Sequence, residues 1–167
     1  MSDGFSIDGE LVAQAEALLD AARAKGDTIA TAESCTGGLV AATLTAVPGA
    51  SEIFERGFLT YSNAAKSAML GVPVWLIERH GAVSEDVARA MAGGALNRSR
   101  ATLAVAVTGI AGPDGGSDDK PVGLVHFAAG RRDTPMLHER VLFGDLGRNE
   151  IRRQSVARAL ALVAQLL

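Results

Sequence analysis

Residues 102–108 read TLAVAVT, followed by a glycine at 109. A strand with one face in water alternates apolar and polar residues, whereas this run is apolar almost throughout, as suits a strand covered on both faces. Such a strand needs helices on two sides, and the flanking sequence supplies them. Upstream, Leu11, Val12, Ala15, Leu18, Leu19 and Ala22 recur at helical spacing between a capping Asp8 and a terminating Gly26, predicting a helix over 8–25. A short strand over 28–32 and a helix over 39–46 follow. Next come a strand over 53–61, rich in β-branched and aromatic residues, and helices over 64–70 and 74–80. Ser84 caps a further helix running to 96. Downstream, 109–123 holds five glycines and two prolines in fifteen residues and reads as a loop. Strands over 122–129 and 137–143 pair through the polar turn GRRDT, and a final helix spans 148–167. The expected fold is α/β, a three-layer α/β/α sandwich around a mixed sheet of about five strands. No repeat or linker divides the chain, so one domain over 1–167 is expected.

Composition narrows the function classes. The 48% hydrophobic content is carried by Ala, Val and Leu with 4% aromatic residues, as fits helices packed on a sheet. No apolar stretch reaches the roughly 18–20 residues that cross a bilayer. The opening MSDGFSIDGE places acidic and polar residues where a signal peptide has a basic patch and an apolar run, so a cytoplasmic protein is expected. A net charge of −3 and a pI near 5.6 provide no global attraction to nucleic acid or an anionic membrane. The single cysteine, Cys35, excludes an intrachain disulfide framework and multi-cysteine metal sites. Only Lys25, Lys66 and Lys120 are lysines, against 13 arginines, which draws attention to any lysine among motif residues.

In sheets of this kind ligands gather where strands end and helices begin, which here means 33–38, 61–66 and 108–116. The first segment lies within TAESCTGG (31–38). Its Ser34 follows a strand and precedes a helix, and the amides of Thr36, Gly37 and Gly38 suit a phosphate or an oxyanion. The same residues also serve as an ordinary helix entry, since Ser34 or Thr36 can act as a cap. Neither a Walker motif nor a GxSxG elbow is present. A serine nucleophile needs a base. His80 sits at a helix end and His126 and His138 lie on strands, so none of the three is an evident candidate. Lys66, in YSNAAKSAMLG (61–71), lies five residues after Tyr61. As a base near neutral pH it needs its pKa lowered by roughly three from about 10.4, worth about 4 kcal/mol, and burial among Ala64, Ala65, Ala68 and Met69 acts in that direction. An exposed helical lysine remains the plain alternative.

In TGIAGPDGG (108–116), Thr108 and Gly109 stand where a strand end can hold a substrate's carbonyl, ribose or phosphate, although Asp114-Gly115 also makes a simple turn. Asp114, Asp118 and Asp119 do not match a calcium-loop spacing and read as a solvated acidic loop. Arg148, Arg152 and Arg153 open the last helix, where a guanidinium fork suits phosphate and solvent exposure is the alternative.

Taken in order, TAESCTGG, FERGFLTYSNAAKSAMLGV, HGAVSEDVARAMAGGAL and VTGIAGPDGGSDDKPVGLV resemble the C-terminal domain of the CinA (competence/damage-inducible) family, from about residue 8 into the last helix. That family includes stand-alone nicotinamide-nucleotide amidohydrolases. The resemblance implies hydrolysis of the carboxamide of nicotinamide mononucleotide to nicotinic acid mononucleotide and ammonia, in pyridine-nucleotide salvage. It further implies a Ser/Lys mechanism that uses no metal or cofactor. On the matching positions Ser34 becomes the nucleophile, Lys66 the general base and Tyr61 a partner in proton transfer. Thr36, Gly37 and Gly38 are then expected to form the oxyanion hole, with Thr108, Gly109 and Arg148 binding a small nucleotide substrate. The resemblance does not extend to the N-terminal domain of longer members, and nothing of that domain's activity is carried over.

Two other readings stand beside it. Cys35 as nucleophile would exploit a thiol at a helix start, though no histidine is near it in sequence. A non-catalytic nucleotide- or partner-binding module linked to competence or DNA-damage response would use the same loops with Lys66 charged against phosphate. The apolar tail ALALVAQLL (159–167) suits a second copy as readily as the chain's own sheet, and a homo-oligomer is expected.

Overall fold

A computed structural model describes residues 6–167. Residues 1–5, on which part of the signal-peptide argument rests, lie outside the described residues. In chain order the elements are α1 (Gly9–Lys25), β1 (Ile29–Glu33), α2 (Leu39–Thr45), β2 (Phe54–Leu59), α3 (Asn63–Leu70), α4 (Val74–His80) and α5 (Glu85–Asn97). Then follow β3 (Leu103–Gly109), β4 (Leu124–Arg131), β5 (Leu137–Leu142) and α6 (Arg148–Ala164). Strand order is β2-β1-β3-β4-β5. β1 pairs parallel with both β2 and β3, and β4 runs antiparallel to β3 and β5. The sheet is therefore mixed and five-stranded, as expected.

The quoted run explains both layers. In β3, Leu103, Val105 and Val107 face one core and Ala104 and Ala106 the other, because successive side chains leave a strand on opposite faces. The branched set joins Ile29, Val125 and Phe127 beneath α1, α2 and α6. The alanine set joins Ala30, Ala32 and Ala128 beneath α5, which presents Ala88, Met91, Ala92 and Ala95, with α3 and α4 outside it.

Helix ends follow the local chemistry. Asp8 accepts from the amides of Glu10 and Leu11, Ser62 from Ala65 and Ser84 from Val87, each covering a donor that the helix leaves free. The strand expected over 53–61 is shorter, since Ile53 closes a 3-10 turn over Ala50–Glu52. The last helix stops at Ala164. In the apolar tail Ala159, Leu160, Leu162 and Val163 are buried against the chain's own core, so those four residues are used internally. Among the described residues no helix is long and apolar enough to cross a membrane.

Candidate active site

The carboxyl ends of the parallel strands β1, β2 and β3 lie side by side, and backbone pairing continues past the ends of β1 and β2. The Ser34 amide donates to the Val107 carbonyl (3.0 Å) and the Thr60 amide to the Glu33 carbonyl (2.8 Å). Ser34 is thus set directly on the end of a central strand. α3 starts three residues after Thr60 and points Lys66 back at this edge. Lys66 is 1% exposed, and its Nζ lies 3.1 Å from Ser34 Oγ and 3.1 Å from the Thr60 carbonyl oxygen.

Burial lowers the pKa of Lys66 from its usual value. Among the described residues no carboxylate stands within ion-pair distance of it. Nζ donates to the Thr60 carbonyl and to Ser34 Oγ, and neither of these uncharged oxygens supplies the negative charge that would favour the ammonium form. The exposed-lysine alternative is excluded by this burial.

Ser34 and Lys66 line a cavity of about 270 Å³ together with Tyr61, Thr108, Gly109 and Arg148, and with Cys35, Asn63, Ala82, Val83 and residues 110–112, 114 and 115 of the glycine loop. The three strand-end segments singled out in the sequence therefore meet. Arg148, the first residue of α6, donates to the Gly112 carbonyl (2.7 Å) and to the Tyr61 hydroxyl (2.8 Å), joining the glycine loop to the β2–α3 connection. Thr108 Oγ1 donates to the Ala82 carbonyl (2.8 Å), and Lys120 Nζ donates to the His80 carbonyl. Both contacts fix the 80–84 segment, part of which forms the cavity wall.

The other candidate residues occupy varied positions around the cavity and away from it. Thr36, Gly37 and Gly38 are not among the cavity-lining residues. α2 begins only at Leu39, and Gly37 and Gly38 occupy a preceding turn with φ of 60° and 94°. The Gly37 amide donates to the Ser34 carbonyl and the Leu39 amide to the Thr36 carbonyl. The first α2 amides, Val40 and Ala41, are taken by the Glu33 carboxylate (2.8 and 3.0 Å). Gly37 and Gly38 supply the left-handed backbone that this turn requires. Tyr61 is 59% exposed, and its hydroxyl accepts from Arg148 while making no hydrogen bond to Lys66 or Ser34. Arg152 turns to the carbonyls of Cys35 and Thr36, and Arg153 pairs with Asp8 and Glu10. Asp114, Asp118 and Asp119 are exposed, and among the described residues no three acidic, histidine or cysteine side chains gather as a metal cluster. Cys35 is 6% exposed, and burial pushes its thiol up to about 12, so the thiolate is strongly disfavoured.

The histidines do not line the cavity. His126 Nδ1 lies 2.9 Å from His138 Nε2, and His138 Nδ1 lies 3.6 Å from Glu85 Oε2. Burial, followed by the charges of His138, Arg140 and Lys120, depresses His126 to about 4, below its unfolded value near 6.5. The folded chain therefore keeps His126 neutral where the unfolded chain takes up a proton. This contribution is complete above pH 6.5 and declines as pH falls toward 4. Thermal midpoints should drop across that window, and His126→Gln should flatten the drop; an unchanged slope in the variant would refute it.

The family model for the CinA C-terminal domain matches residues 12–167. A putative competence-damage inducible protein of Symbiobacterium thermophilum is 51% identical, with 98% of this chain aligned but only 39% of that protein. The nicotinamide-nucleotide amidohydrolase PncC of Escherichia coli K12 is 50% identical over 159 residues, covering 95% of each chain. Among solved structures, a competence/damage inducible protein of Agrobacterium tumefaciens superposes with a TM-score of 0.94 at 48% identity, covering 97% of this chain and 99% of that one. Fold and strand-end site define an α/β protein with a buried serine–lysine pair. The chain belongs to the CinA C-terminal domain family.

Proposed function

We propose that the protein hydrolyses the carboxamide of nicotinamide mononucleotide, releasing ammonia and nicotinic acid mononucleotide, with Ser34 as nucleophile and Lys66 as general base. The observation carrying this reading is the 3.1 Å approach of a buried, carboxylate-free Lys66 amine to Ser34 Oγ. The likeness to PncC across 95% of both chains supplies the substrate class.

Ser34 Oγ attacks the amide carbon as its proton passes to Lys66 Nζ. The resulting ammonium then protonates the departing nitrogen, so that the C–N bond breaks and ammonia leaves an acyl ester on Ser34. Water attacks that ester while giving a proton to Lys66, and the C–Oγ bond breaks with return of the proton to Ser34. The oxyanion formed twice on this route needs backbone donors. The amides of Cys35 and Ala111 belong to cavity-lining residues and have no backbone or side-chain carbonyl partner among the described residues. Arg148, at the mouth, is the cation for the substrate phosphate, with Thr108 and Gly109 forming the adjoining wall. Tyr61, held by Arg148, contributes to the rim and can accompany Arg148 as it turns to phosphate.

An ammonia-release assay over nicotinamide mononucleotide, its phosphate-free riboside and nicotinamide tests this reading. Turnover should be fastest with the phosphorylated amide. Lys66 must be neutral to act, and its folded pKa is lowered, so kcat/KM should rise with pH through a midpoint below the ordinary lysine value and then level off. Absence of turnover with all three amides at every pH would overturn the proposal in favour of a binding module.

A further inference from the structure

We infer that Glu33 and Arg152 act as positioning residues for Ser34, an inference that rests on the nucleophile assignment above. The turn 34–38 has little of its own to hold it. Among the described residues only Gly37 N–H to Ser34 O and Leu39 N–H to Thr36 O close it and the buried Thr36 hydroxyl has no partner, while two successive glycines take positive φ. Two side chains of opposite charge support it from outside.

Glu33 ends β1 and is 2% exposed. Its carboxylate spans the turn: Oε1 accepts from Val40 N–H at 2.8 Å and Oε2 from Ala41 N–H at 3.0 Å. A buried carboxylate without a cation is expensive to maintain unless amides satisfy both oxygens, and here they do. Strand end and helix start are thereby tied together. Arg152 of α6 donates Nε–H to the Cys35 carbonyl (3.2 Å) and an Nη2–H to the Thr36 carbonyl (3.3 Å). It packs so closely on the turn that a Cβ at Gly37 would stand 3.0 Å from its guanidinium. Lys66, by contrast, is placed by α3 and the Thr60 carbonyl. Loosening the turn would therefore move Ser34 while leaving the base in position, and a displacement of about 1 Å between reacting groups costs on the order of 100-fold in rate.

The test is steady-state ammonia release from nicotinamide mononucleotide by wild type, Glu33→Gln, Glu33→Asp and Arg152→Lys, with a thermal melt for each. Glutamine turns an N–H toward one α2 amide. Its kcat is expected to fall about 100-fold while KM stays within about threefold, since no cavity-lining side chain changes. Glu33→Asp, with the charge retained but the reach shortened, should fall between, and Arg152→Lys, losing the fork, should lower kcat about tenfold. A Glu33→Gln protein with kcat within twofold of wild type, or a loss carried mainly by KM, would overturn the inference. If Glu33→Gln does not fold, Arg152→Lys decides by the same criteria. A wild-type protein that releases no ammonia would instead refute the amidase reading.

Discussion

Ser34→Ala is expected to fold with an unchanged melting temperature and to lose at least about 1000-fold in kcat for ammonia release, the scale seen when one member of a nucleophile–base unit is removed. Lys66→Met should lose as much for the opposite reason: the nucleophile remains but nothing within reach accepts its proton. The stability effects separate the two. Lys66 buries an amine whose partners are a hydroxyl and a carbonyl, with no carboxylate to compensate the charged form. A methionine of similar length removes that burden, so Lys66→Met should raise the melting temperature as activity disappears. Because the two groups work on one proton, the double variant should be no slower than either single one. Wild-type turnover in Ser34→Ala would exclude Ser34 as nucleophile. Multiplicative losses in the double variant would show that the residues act independently.

Gly94→Val is expected to destabilise the fold by about 3 kcal/mol or more, since a Cβ there cannot be relieved by a rotamer change. Gly94 is buried inside α5, where glycine is ordinarily disfavoured by roughly 1 kcal/mol against alanine. An added Cβ would fall well inside contact distance of the Leu70 carbonyl oxygen, with the Leu70 carbonyl carbon at 2.9 Å and its Cβ at 3.0 Å. The obstruction is backbone at the end of α3, so α3 must move, and Lys66 with it. At roughly 2–4 °C per kcal/mol for a domain of this size, the melting temperature should fall by about 6–12 °C. Activity should decline beyond what the unfolded fraction explains. Gly9→Val is the control: it sits in the first turn of α1 with nothing within 4 Å of its missing Cβ. Equal melting temperatures for the two variants would sink the argument.

The architecture was readable because its signals are local. The apolar 102–108 run required cover on both faces, and Asp8, Gly26 and Ser84 mark helix ends by chemistry acting within four residues. The meeting of the strand-end segments followed from the rule for parallel strands. Pairing Ser34 with Lys66 did not follow from spacing, since 32 residues separate them; the resemblance supplied it, and the packed site gives the distance. Glu33 escaped notice, and Arg152 was read only as a phosphate fork or a solvated side chain, for a different reason. A glutamate at a strand end and an arginine on a terminal helix look like solvated surface, and only tertiary structure brings the one onto amides seven and eight residues away and the other onto carbonyls more than a hundred residues away. The carboxylate that takes the Val40 and Ala41 amides at the start of α2 could not be seen in the TAESCTGG motif for the same cause.

The alanines beneath α5 bear on how reproducibly the site is assembled. Ala30, Ala32, Ala104, Ala106 and Ala128 have no side-chain torsions to choose, and Ala88, Ala92 and Ala95 meet them from the helix. Ordering these alanines forfeits no rotamer entropy and admits few alternative interdigitations, in contrast to the branched and aromatic side chains on the other face of the sheet. The distance from sheet to α5, and through Gly94 to α3, is therefore set by backbone against methyl groups. The lysine reaches its serine across the part of the molecule with the fewest ways of packing differently.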